Sequence, residues 1–93
     1  MKVAYGGTAR ADLEAILGHI RHAYPGAYVG FRRQFKTIVL RIGLWPESAA
    51  LVAAGGGVRM VPMVRYPYKV FYQVANGVAY IIHVRHGARD EPS

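Results

Sequence analysis

The sequence predicts an α+β fold in which an N-terminal strand and two helices precede a run of strands. Three observations carry this. Apolar residues recur at three- and four-residue spacing from Ala9 to Ile42, the period of an amphipathic helix. Between Tyr68 and His86 the pattern becomes a β-hairpin turning on Asn76-Gly77, two residues that tolerate positive φ. The length, 93 residues, allows one two-layer core and no second, so residues 1–93 form a single domain whose site lies on the surface or edge of that core.

In chain order, "KVAY" is a short alternating run ended by Gly6 and Gly7, and reads as a first strand. Ala9, Leu13, Ile16, Leu17, Ile20 and Tyr24 then line one face of a helix, with Thr8 as the expected N-cap and acids in its opening turns. Pro25 ends that helix and can open the next, since a first turn needs no N–H from it. Tyr28, Phe31, Phe35, Ile38, Val39 and Ile42 give the second stripe, and the short connection makes the two helices an antiparallel hairpin.

"GLWPESAALVAAGGGV" breaks the period at Gly43, Pro46 and Gly55–Gly57, and reads as a connector with a short helical turn near Ala49 to Ala54. No Gly-Lys-Ser/Thr follows the glycines, so a nucleotide loop is not expected. In "VRMVPMV", Pro62 confines a strand to a sheet edge or a bulge. A two-residue turn at Asn76-Gly77 sets Ala75 opposite Val78, and by uninterrupted counting Phe71 opposite Ile82 and Lys69 opposite Val84. That register puts Lys69, Val84 and His86 on one face of the hairpin, and Tyr72, His83 and Arg85 on the other. Both faces are apolar in the middle, so helices are expected on one and a partner on the other.

Hydrophobic residues make up 53% of the chain and charged ones 18%, which argues against disorder and leaves apolar surface for a partner. The formal charge is +7, and the five acids, Asp12, Glu14, Glu47, Asp90 and Glu91, leave 15–46 and 48–89 without one. Such a field favours a polyanion or an acidic protein as partner. The absence of cysteine excludes disulfides, thiolate chemistry and Cys-based zinc sites. The N-terminus lacks the apolar stretch of a signal peptide, and no segment is long and apolar enough to span a bilayer, so a cytoplasmic protein without membrane contact is expected.

Several chemistries can be weighed from the residues. His19 and His22 share a helix face but have no third ligand within sequence reach, and His83 and His86, three apart on a strand, point to opposite faces. No metal or other cofactor is therefore expected. Thr8, Thr37, Ser48 and Ser93 lie in no nucleophile motif. A metal-independent ribonuclease needs a base, an acid and cationic stabilisation of the phosphorane. His83 or His86, with Tyr72, Lys69, Arg85 and Arg89, is such a set; the competing reading is a solvated strand end that holds a protein partner.

The order of strand, helical hairpin and strands, with "YPYKVFYQV", the Asn-Gly turn and "IIHVRHGARD", resembles the ParE/RelE superfamily of toxins from bacterial type II toxin–antitoxin pairs over nearly the whole chain. The resemblance implies two helices packed on a twisted antiparallel sheet, and a small cognate antitoxin whose C-terminal segment wraps the toxin. RelE-like members cut messenger RNA on the ribosome; ParE-like members poison DNA gyrase. Of the RelE cleavage pattern, Lys69 and Arg89 occupy the two arginine positions. The earlier basic positions fall at about Met60 and Pro62, and no tyrosine follows Arg89. Two elements are thus missing, and "HGARD" looks ParE-like. His86 matches the histidine that some nucleases of the superfamily carry near the end of the last strand.

The expectation is accordingly a ParE-like toxin that binds DNA gyrase and is not itself an enzyme. Its expected target-binding residues are Arg65, Lys69, Arg85, His86 and Arg89, and its expected antitoxin contacts are Leu13, Ile20, Phe31, Phe35 and Trp45. The alternative is an endoribonuclease using His86, Lys69, Arg89 and Tyr72. A small basic nucleic-acid-binding module ranks third, since no zinc-finger, helix-turn-helix or RNA-recognition signature is present.

Overall fold

Two layers make up the computed structural model, which describes residues 1–53 and 55–87. One layer is the helix pair α1 (Gly7–Ala23) and α2 (Tyr28–Leu44), joined by a 3₁₀ turn at Pro25–Ala27. The other is a five-stranded sheet of β1 (Lys2–Tyr5), β2 (Ala50–Leu51), β3 (Val58–Pro62), β4 (Tyr68–Ala75) and β5 (Val78–His86), in the order β1-β5-β4-β3-β2. β1 runs parallel to β5, with Lys2 facing Val78 and Tyr5 facing Ile81; the other neighbours are antiparallel. The expected antiparallel sheet is therefore mixed, because a four-residue apolar strand carries no signal for its partner or its direction.

The sheet sets where α1 begins. Gly6 donates its N–H to the carbonyl of Ile81 (2.9 Å) and accepts from the N–H of Arg10 (3.0 Å). Gly6 is thus the N-cap, without a side-chain cap, and Thr8, the expected cap, lies inside the helix. No acid falls in the first turn. Pro25 does open the 3₁₀ turn, where its fixed φ and missing N–H cost nothing.

Phe31, Phe35, Ile38 and Ile42 of α2 and Ala9 and Ile20 of α1 meet Val61, Val70, Tyr72, Ala79, Ile81 and Val84 of the sheet in one buried cluster. Burying each large side chain contributes about 1.5–3 kcal/mol. The helical period read from the sequence therefore selects the inward stripe of α2, whereas Tyr24, at the end of the α1 stripe, is exposed.

The hairpin departs from uninterrupted counting at one point. Ala75 faces Val78 and Tyr72 faces Ile81, but Phe71 faces His83, because the register shifts between Phe71 and Tyr72 and leaves Ile82 as an extra residue on β5. Such a β-bulge locally reverses the alternation. Buried positions on β5 run Ala79, Ile81, Val84, and Lys69 comes to face Arg85 in place of the expected Val84.

The connector also differs. Residues 50–51 form β2, paired with Arg59 and Met60 of β3, where a helical turn near Ala49 to Ala54 was expected; Ala54 itself lies outside the described residues. The reversal between β2 and β3 uses Gly55, Gly56 and Gly57, all at positive φ (86°, 71° and 72°), a run that other residues adopt only under strain. Two sheet side chains hold the preceding segment. Arg59 donates to the carbonyls of Ala49 (2.6 Å) and Glu47 (3.1 Å), and the Tyr72 hydroxyl donates to the carbonyl of Pro46 (2.6 Å). Pro62 faces Lys69 beyond the residues that β2 covers, on an open edge as its missing N–H requires. No helix among the described residues is long and apolar enough to cross a membrane.

Candidate functional site

The end of the β4–β5 hairpin remote from Asn76-Gly77 gathers the cations. Through the bulge, Lys69 lies opposite Arg85 and Tyr68 opposite His86. Like charges directly across a ladder are destabilising, and no carboxylate of the described residues forms an ion pair with either. The Arg85 guanidinium contacts the Nδ1 of His83 (3.1 Å), and its Nε is buried without a hydrogen-bond partner among the described residues. Arg65 belongs to the same end, on the loop of residues 64–67 between β3 and β4.

A guanidinium only donates, so His83 Nδ1 is the acceptor and the ring proton sits on Nε2. Neutral His83 agrees with a pKa held below the ordinary 6.5, by desolvation first and by Arg85 second, against the opposing pull of Asp12. Asp12 Oδ2 lies 3.9 Å from His83 Nδ1, too far for a hydrogen bond. Its partner is the N–H of Val84, at 3.1 Å.

Two adjoining grooves run between α1 and this hairpin end. One, of about 390 Å³, is lined by Asp12, Ala15, Ile16, His19, Tyr68, Val84, Arg85 and His86. The other, of about 450 Å³, is lined by His19, Ile20, Tyr24, Ala27, Arg65, Tyr66, Pro67, Tyr68 and His86. His19, Tyr68 and His86 border both. His86 packs edge-on to Tyr68, with ring centroids 5.6 Å apart, and His19 edge-on to Tyr24 at 6.0 Å.

Of the expected target-binding residues, Arg65, Lys69, Arg85 and His86 fall at this one end; Arg89 lies outside the described residues. Tyr72, expected as a catalytic group in the ribonuclease alternative, does not join them. It is fully buried, its hydroxyl is tied to Pro46, and burial raises its pKa against the weaker opposing pull of Arg59, which removes it from any proton transfer to an external substrate.

The expected antitoxin contacts separate. Ile20, Phe31 and Phe35 are core residues; a helical stripe alone does not say which of its residues remain accessible. Leu13 is half-buried and, with Tyr5, Leu17 and Arg32, borders a groove of about 230 Å³ between the helices, beneath which Phe31 and Phe35 lie. Trp45 is exposed, as is its neighbour Leu44.

Asp12, His19 and Tyr66 were not singled out for this region from sequence. His19 was visible only as half of "HIRH", and nothing in a lone helix acid such as Asp12 announces a strand seventy-two positions away.

Known proteins share this architecture. The family described as "ParE toxin of type II toxin-antitoxin system, parDE" matches residues 3–91. Toxin RelE2 of Caulobacter vibrioides is 33% identical over 88 residues, which cover 95% of this chain and 97% of that protein. The solved structure titled "Chromosomal ParDE TA system from P. aeruginosa" superposes with a TM-score of 0.77 over 92% of this chain and 95% of its own, at 20% identity, a likeness that speaks for the fold alone. A family match over nearly every residue, joined by a relative one-third identical along its whole length, decides the matter: this chain belongs to the ParE toxins of type II toxin–antitoxin systems, within the ParE/RelE superfamily.

Proposed function

We propose that this toxin acts by binding DNA gyrase, without catalysis of its own, and that a cognate antitoxin neutralises it. The observation that carries this is the Lys69–Arg85 pair, two cations facing each other across a ladder. A fold gains nothing from that arrangement, whereas an acidic surface docking on it does. The partnerless Nε of Arg85 among the described residues and the sequestered Tyr72 hydroxyl support the same reading. The antitoxin sets its acids against Arg65, Lys69 and Arg85, and its apolar side chains against Trp45, Leu44 and the interhelical groove at Leu13.

The test adds purified toxin to a gyrase supercoiling assay and, in parallel, to a translating extract in which message cleavage is read by primer extension. Loss of supercoiling with intact message is expected. A second reading, the metal-independent endoribonuclease, is favoured by one observation: His86 shares its grooves with a second imidazole, His19, beside Arg85. Message cleavage that disappears in His86→Ala would establish that reading and overturn the first.

A further inference from the structure

We propose that His83 is a pH-operated latch for Arg85: neutral, it parks the Arg85 guanidinium against β5, and protonated, it turns to Asp12 and sets the guanidinium free. The device belongs to the free toxin and does not rest on gyrase as its target.

The geometry turns on one atom. His83 Nδ1 lies 3.1 Å from a terminal nitrogen of Arg85 and 3.9 Å from Asp12 Oδ2. A neutral ring with its proton on Nε2 has a lone pair at Nδ1 to receive the guanidinium. Protonation puts a hydrogen on that same atom and a positive charge on the ring. The acceptor is then gone, two cations stand in contact, and the Asp12 carboxylate is the acceptor within reach. Closing by about 1 Å turns the 3.9 Å separation into a charge-assisted hydrogen bond of about 2.7–2.9 Å. A carboxylate accepts several hydrogen bonds at once, so Asp12 can take the ring and keep the Val84 N–H that its Oδ2 holds at 3.1 Å.

The parked state is poised to open. Among the described residues, Arg85 Nε is buried without a hydrogen-bond partner, and Lys69 faces Arg85 across the ladder. An unsatisfied buried donor and a like charge opposite are both destabilising. The contact with His83 Nδ1 is what holds the side chain against them. Released, the guanidinium presents all its donors to an incoming carboxylate.

The groups around the ring point the same way. Among the described residues α1 brings Asp12 and, on the same groove, His19; β4 sets Phe71 opposite His83 and Lys69 opposite Arg85; β1 ends with Tyr5 opposite Ile81; β5 itself adds Arg85 and His86. Desolvation first and Arg85 second keep His83 neutral, against the pull of Asp12. When the guanidinium departs, the second of these is relieved and Asp12 is left as the adjacent charge. Protonation therefore favours release and release favours protonation, as linkage requires.

The experiment follows the isotope-labelled full chain by NMR from about pH 8 to about pH 5, the range in which imidazoles titrate. Contacts between the Arg85 side chain and the His83 ring are expected at the alkaline end. Their loss should track the His83 titration, with a midpoint below 6.5, while the methyl shifts of Ile81 and Val84 stay native. Arg85→Gln is expected to raise the His83 midpoint. Asp12→Asn, which keeps an oxygen for the Val84 N–H, is expected to lower it. In His83→Gln, whose amide oxygen can still accept from the guanidinium, Arg85 should stay in contact with residue 83 at every pH. The proposal is overturned if the Arg85–His83 contacts persist through the His83 midpoint, or if the core methyl shifts are lost before His83 titrates. It is equally overturned if Arg85→Gln leaves the midpoint unmoved, or if Arg85 still detaches with acid in His83→Gln.

Discussion

Asp12 Oδ2 accepts the backbone N–H of Val84 at 3.1 Å, joining α1 to β5 across 72 positions of sequence. β1 ends opposite Ile81, so among the described residues the outer edge of β5 beyond that point has no neighbouring strand, and the carboxylate satisfies an N–H that a strand would otherwise take. It also fixes the segment that carries His83, Arg85 and His86.

Asp12→Ala leaves that donor unpaired in a partly buried place. The expected cost is about 1–3 kcal/mol of stability, read by urea unfolding. If the midpoint stays at the wild-type value, the carboxylate does not hold the strand.

Because His83 has its pKa lowered in the folded protein, the unfolded chain takes up the proton first as acid is added. The contribution of neutral His83 is therefore complete above pH 6.5 and is lost as the pH falls through the lowered folded value. Thermal midpoints measured between pH 8 and pH 5 should fall on the acid side, and His83→Gln should flatten that slope. An unchanged slope in the variant assigns the acid sensitivity to other groups.

Lys69→Gln relieves the cross-strand repulsion with Arg85 and is expected to raise stability by about 0.2–1 kcal/mol. The same substitution should weaken inhibition of supercoiling. Opposite signs in the two assays mark Lys69 as retained for a partner, and a loss of stability would show that the pair is not repulsive.

Tyr72→Phe removes one hydroxyl from the tie to Pro46 and should cost about 0.5–1.5 kcal/mol, with growth inhibition by the expressed toxin preserved. Complete loss of toxicity in a folded variant would restore Tyr72 to the list of reacting groups.

Gly55→Ala places a Cβ at a φ of 86°, a conformation that costs an L-residue about 1–2 kcal/mol. Chemical unfolding should show that penalty, since a Cβ there meets no atom of the described residues within 4 Å and the backbone strain is what is felt.

What the sequence disclosed, and what it hid, follows from the range of the forces involved. The helix stripes, the Pro25 boundary, the Asn76-Gly77 turn and the open edge at Pro62 are local, and each was legible. The bulge at Ile82 was not, because no glycine or proline marks it; the shift arises where Tyr72 and Val84 both turn toward the helices. It was this one residue that brought Lys69 against Arg85 and Tyr68 against His86. Strand β2 escaped for a related reason, being two residues long and defined only by Arg59 and Met60 beside it. Arg59 counted toward the positive field in sequence, yet in the fold it is engaged with two carbonyls of the connector.

The placement of β1 beside β5 has a consequence for how the toxin comes into being. Among the described residues β1 finds its one sheet neighbour in β5, the strand furthest from it in sequence, and the buried cluster lacks Ala79, Ile81 and Val84 until β5 is made. A partly synthesised chain therefore cannot assemble the weapon it encodes. Toxic activity must wait for β5, and that delay gives a cognate antitoxin time to be waiting.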